Sequence, residues 1–86
     1  MCGTVTDANW VFAELGHPTW LNFGGNYPLQ KFNAVIWGEQ RRQWPLSGKP
    51  EVVYLNHQIC VTGLIQTYKT WAQIQDLQMS DIQVIN

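Results

Sequence analysis

Short runs rich in Val, Ile, Thr, Trp and Phe recur along the chain between Gly, Pro and Asn, and no helical repeat of apolar positions dominates. The clearest run is Gln58 to Tyr68. There Ile59, Val61, Gly63 and Ile65 alternate with Cys60, Thr62, Leu64 and Gln66, the period of a strand with one buried face. Gly63 in its middle marks a bend or bulge. Upstream, Met1 to Ala8 with Val5 reads as a first strand, and Asn9 to Pro18 as a long loop or frayed strand end. Thr19 to Phe23 reads as a second strand and Phe32 to Trp37 as a third. The turn cluster Gly24-Gly25-Asn26-Tyr27-Pro28 joins these two into a hairpin.

Glu39 to Trp44 carries good helix formers and stops at Pro45, enough for one or two helical turns. Leu46 to Asn56 reads as a connecting loop. After the long run, Lys69-Thr70 is a tight connection, Trp71 to Leu77 a returning strand, and Ile82 to Ile85 a last extended segment. The order is three strands, a short helix, then two strands, the fourth long and bent at a glycine. It predicts an all-β fold, a five-stranded OB-fold Greek-key barrel with a short helix between strands 3 and 4. An SH3-like barrel would not normally place a helix there. Eighty-six residues build one core, so residues 1–86 are expected to form one domain.

Composition narrows the chemistry. Apolar residues make up 45% of the chain and aromatics 13%, with five Trp, which favours collapse over intrinsic disorder. Charged residues are only 13%, and the net charge is −1. Five cations against six anions cannot create the broad positive field of proteins that bind by phosphate neutralisation, so any nucleic-acid binding has to lean on stacking. No apolar run approaches a membrane span, and no basic-then-apolar leader opens the sequence. Cytoplasmic residence is the resulting expectation, although a signal upstream of this sequence would change it. Cys2 and Cys60 lack CxxC or Cys/His ligand spacing, so free thiols are expected. Because strands 1 and 4 adjoin in an OB barrel, the two cysteines could also be close.

Val61-Thr62-Gly63-Leu64-Ile65-Gln66-Thr67-Tyr68-Lys69, then Gln73-Ile74 and Ser80-Asp81-Ile82-Gln83-Val84, resembles the closing half of bacterial OB-fold nucleic-acid-binding domains. Cys2-Gly3-Thr4-Val5, Pro18 to Gly24, Tyr27-Pro28 and Phe32 to Gly38 are similar to the first half of the same family, which includes modules accompanying thermonuclease-like domains. The resemblance spans nearly the whole chain and implies an OB barrel that binds nucleic acid. Where family members follow the tyrosine and lysine with Gly, a basic residue and Pro, this chain has Thr70, Trp71 and Ala72, so a basic tip has become aromatic. The family's first strand also usually starts several residues earlier, which suggests an excised domain or a truncated start.

The binding face of OB folds is strands 2 and 3, bordered by the loops between strands 1-2 and 4-5. If Leu21 and Phe23 point inward, Trp20 and Asn22 point out to that face, and Asn33, Val35 and Trp37 share it. Tyr68-Lys69-Thr70-Trp71 forms the strand 4-5 tip, where a cation beside two aromatics would hold a phosphate while a base stacks. Lys31 is a second phosphate contact. The nucleic-acid-binding set is therefore Trp20, Asn22, Lys31, Trp37, Tyr68, Lys69 and Trp71. Each has a structural alternative: Trp20 under the first loop, Trp37 covering the helix, Tyr68 and Trp71 as a cross-strand pair, and the lysines solvated. Trp44 is expected in the core and Arg41-Arg42 on a solvated helix surface.

His17 and His57 lack ligands at metal spacing, no GxSxG, HExxH or P-loop is present, and the carboxylates are scattered. A non-enzymatic module without metal or cofactor is expected, with single-stranded DNA or RNA as partner. The alternative is a protein-interaction or oligomerisation module that presents the same aromatics to another protein or to itself. A third reading is an extracytoplasmic domain that binds a small ligand or a sugar.

Overall fold

The computed structural model describes residues 1–24, 32–68 and 71–85, except for the side chains of Tyr68 and Trp71. Strands are β1 (Cys2–Trp10), β2 (Thr19–Phe23), β3 (Phe32–Ile36), β4 (Gln58–Val61), β5 (Ile65–Tyr68), β6 (Trp71–Ile74) and β7 (Ile82–Val84). Two single-turn helices, α1 (Gly38–Arg41) and α2 (Pro50–Val53), separate β3 from β4, and a 3-10 turn (Met79–Asp81) precedes β7. The fold is mostly β, a curled mixed sheet in the order β5-β6-β3-β2-β1-β4-β7. Seven strands are described where five were expected. The run from Gln58 to Tyr68 is interrupted at Thr62 to Leu64, and Ile82 to Val84 pairs with β4.

Strand β1 serves two partners. Its first half pairs with β4, from Cys2 opposite Cys60 to Thr4 opposite Gln58, and its second half with β2, ending at Trp10 opposite Thr19. The register shifts between Val5 and Asp7, a bulge that bends the strand and lets it turn from one neighbour to the other. β2 and β3 pair antiparallel as expected, the turn cluster after Gly24 lying outside the described residues, and β3 pairs in parallel with β6.

Val5, Leu21, Phe23, Ala34, Ile36, Ile59, Val61, Ile74 and Leu77 form one buried core together with Trp44 and Tyr54. Each fully buried Leu, Ile or Phe stabilises the fold by roughly 1.5–3 kcal/mol. Trp44 donates its indole N–H to the Tyr54 hydroxyl at 2.9 Å, so the polar atoms of this buried aromatic pair satisfy each other. Alternation holds through Val61 and then fails: Ile65, expected inside, is 57% exposed. A Cβ at Gly63 would lie 2.6 Å from the buried Ile74 methyl Cγ2, so the chain passes over Ile74 there and leaves strand geometry.

α2 lies in what was read as loop. Pro50 sits in its first turn, where a missing N–H and a fixed φ start a helix and do not break one. The expectation of free thiols is overturned, because Cys2 and Cys60 form a disulfide across β1 and β4. Register is the cause. It sets the two residues directly opposite each other with Cα atoms 4.0 Å apart. Among the described residues, no helix is long and apolar enough to cross a membrane.

Candidate binding groove

Between the β1–β2 loop and α1 lies an open groove of about 730 Å³ lined by Trp10, Phe12, His17, Trp37, Arg41 and Arg42, with Glu39 and Asp76 also on its wall. The loop is fixed by backbone bonds from Val11 N–H to Pro18 C=O at 2.9 Å and from Gly38 N–H to Gly16 C=O at 2.8 Å, the second tying it to α1. Gly16 has φ +82°, and a Cβ there would meet the Trp37 ring at 2.9 Å. Only glycine accepts both demands, and the six-membered ring of Trp37 packs directly against the loop there.

The rings form a connected set. Trp10 and Phe12 meet edge to face at 5.4 Å, and Phe12 stacks on His17 at 4.5 Å with 15° between planes. His17 Nδ1 also contacts the Phe12 carbonyl. The Arg41 guanidinium carbon lies 3.5 Å from the Trp10 ring centre, and Arg41 pairs with Glu51 of α2. Phe12 is 64% exposed and Leu15 98%, so the loop presents apolar surface beside the groove. Flat faces, one exposed guanidinium and flanking carboxylates are what the groove offers a ligand.

Of the residues expected to bind, Trp37 lines this groove. Trp20 is half buried, with its indole N–H 3.4 Å from Glu14 Oε2. Asn22 does not point to an open face. It is 4% exposed, and its amide donates to Asp7 Oδ2 at 3.2 Å. Asn33 and Val35, expected on the same open face, are also buried. Register explains this: Asp7, Asn22, Asn33, Gln73 and Gln66 form one row across β1, β2, β3, β6 and β5. Within that row, Asn22, Asn33 and Gln73 are all buried. Lys31 and Lys69 lie outside the described residues, as do the side chains of Tyr68 and Trp71, whose backbones are directly opposite in the β5–β6 hairpin.

Trp10, Phe12 and Arg41 were missed as site residues because Asn9 to Pro18 reads as loop and Arg41 as helix surface. The available signal was the Trp10-x-Phe12 spacing, which puts two rings on one side of an extended segment. No family model, no curated protein and no solved structure matches this chain, so the resemblance to bacterial OB-fold nucleic-acid-binding domains rests on the residues quoted above alone.

Proposed function

We propose that this chain is a non-enzymatic binding module of OB type that holds single-stranded nucleic acid by aromatic stacking in the groove between the β1–β2 loop and α1. If β4 and β5 are counted as one strand broken at Gly63, six strands remain, and the first five follow the order of an OB barrel, with β7 added beside β4. In it, strand 3 lies parallel to the returning strand, and helix precedes strand 4. The loop between strands 1 and 2 borders the binding face of such barrels, and here it carries Phe12 and His17.

The observation that carries the reading is the exposed set of Trp10, Phe12 and His17 rings, with the half-buried Trp37, around one open groove. Base–aromatic stacking contributes on the order of 1–3 kcal/mol per base, so two engaged bases offset a shortage of cations. The Cys2–Cys60 disulfide supports a working place where disulfides persist, such as an extracellular or periplasmic compartment, over the expected cytoplasm. The exposed Leu15 and Phe12 favour the second reading, in which this loop is the centre of a protein interface.

Titration of tryptophan fluorescence with oligo-dT and poly-U at low and moderate salt tests the proposal. Quenching is expected, weakened by Trp37→Ala and Phe12→Ala. No change at high micromolar oligonucleotide would overturn it, and a mass that rises with protein concentration in the absence of ligand would favour the interface. Loss of quenching in Trp71→Ala with Trp37→Ala unaffected would move the site to the β5–β6 tip.

A further inference from the structure

We infer, resting on the nucleic-acid reading above, that the groove holds its ligand by the bases and engages about one phosphate, so its substrate is a short exposed base segment and not the charged backbone. The chain has five cations: Lys31, Arg41, Arg42, Lys49 and Lys69. Three are described, and two of these are already committed. Lys49 donates its ammonium to the carbonyls of Trp44 at 2.8 Å and Arg41 at 3.3 Å, at the end of α1. Arg41 is held between the Trp10 ring and the Glu51 carboxylate. Arg42 is exposed, lines the groove and makes no ion pair among the described residues.

Against that one available guanidinium stand two carboxylates on the same wall, Glu39 and Asp76. Asp76 is set there by the turn after β6: it has φ +60°, and the next residue, Leu77, bonds through its N–H to Val35 C=O at 3.4 Å. With Arg41 neutralised by Glu51, the described groove lining sets Arg42 alone against Glu39 and Asp76. A polyanion gains nothing from that field, and phosphates near the carboxylates are repelled. The π-faces of bases are indifferent to it.

Each phosphate engaged on a single strand contributes about −0.7 to the slope of log K against log salt, so one contact predicts about a threefold loss of affinity between roughly 50 and 200 mM salt. The test compares oligo-dT with a thymine peptide nucleic acid of equal length, whose backbone is uncharged. The two are expected to bind the wild-type protein within about threefold at the higher salt. Replacing the two carboxylates together, Glu39→Gln with Asp76→Asn, is expected to raise the ratio of oligo-dT to peptide-nucleic-acid affinity and to steepen the salt dependence. Asn tolerates the left-handed backbone at position 76, and a melting curve checks that the variant folds. Binding of oligo-dT with a steep salt dependence and none of the peptide nucleic acid would overturn the inference while leaving the nucleic-acid reading intact. Failure of both ligands to bind would remove that reading and the inference with it.

Discussion

The guanidinium of Arg41 stacks on the Trp10 ring at 3.5 Å while its Nε and Nη2 donate to the two carboxylate oxygens of Glu51. One side chain thereby joins the end of β1 to both helices, and it fixes the Trp10 wall of the groove. The pair is only partly exposed, 12% for Arg41 and 19% for Glu51, so solvent screens it incompletely. A guanidinium on an indole contributes about 0.5–2 kcal/mol, and a screened ion pair about 0.2–1.

Arg41→Ala is accordingly expected to lower the unfolding free energy by about 1–2 kcal/mol, measured by urea denaturation. Arg41→Lys should recover less than half, because an ammonium cannot stack as a plane or bind both oxygens. A loss no larger than that of Arg42→Ala would show that these contacts contribute nothing.

The disulfide joins residues 58 apart in sequence, and closing a loop of that size restricts the unfolded chain by about 4 kcal/mol on the entropic account. Cys2→Ser with Cys60→Ser should therefore lower the melting temperature markedly, and dithiol reductant should do the same to the wild type. Equal melting temperatures with and without reductant would count against the bond being a stabilising element. Because β1 and β4 also pair through their backbones, the sheet should survive reduction, which far-ultraviolet circular dichroism would report.

Gly63→Ala tests the break between β4 and β5. The new methyl would stand 2.6 Å from Cγ2 of the buried Ile74, closer than van der Waals contact allows, and overpacking of this kind costs typically 1–3 kcal/mol. A variant as stable as the wild type would mean that the chain does not pass over Ile74 in this way.

Tyr54 makes the fold sensitive to alkali. Burial pushes its hydroxyl above its ordinary value of 10.0, partly countered by the N–H bond from Trp44. The folded state therefore favours the neutral phenol. Its contribution is complete below about pH 10 and is lost as pH rises through the higher folded value. Tyr54→Phe should flatten this alkaline fall in unfolding free energy. It should also cost about 1–3 kcal/mol at neutral pH, by leaving the Trp44 N–H without its acceptor. An alkaline fall that is equally steep in the variant would assign the titration to another group.

Much of the architecture was legible in the residues. Thr19 to Phe23 is a strand with the expected bounds, β3 ends one residue short of expectation, and Leu21, Phe23, Ala34, Ile36 and Trp44 are buried as their alternation and position required. Alternation is a local property, and it worked wherever one face met the core. It failed on the other face of β2 and β3, where polar Asn22 and Asn33 look exposed by type but share a buried row with Gln73 from a distant strand. The groove was harder to read for the same reason. Trp10 comes from the end of β1, Phe12 from the β1–β2 loop, Trp37 from the residue after β3 and Arg41 from α1, and no spacing along the chain brings them together.

What the sequence determined by itself, then, is the set of short-range choices: strands from β-branched and aromatic runs, the break at Gly63, and a near-neutral charge that limits how any polyanion could be held. Tertiary structure alone decided the long-range ones. The β1–β4 register made Cys2 and Cys60 a disulfide, and the bulge in β1 let one strand serve two partners. Docking of the first loop on α1 assembled the aromatic groove. Each depends on pairing between segments far apart along the chain, and such pairing is set by the packing of the whole sheet and not by the preference of any residue for its neighbours.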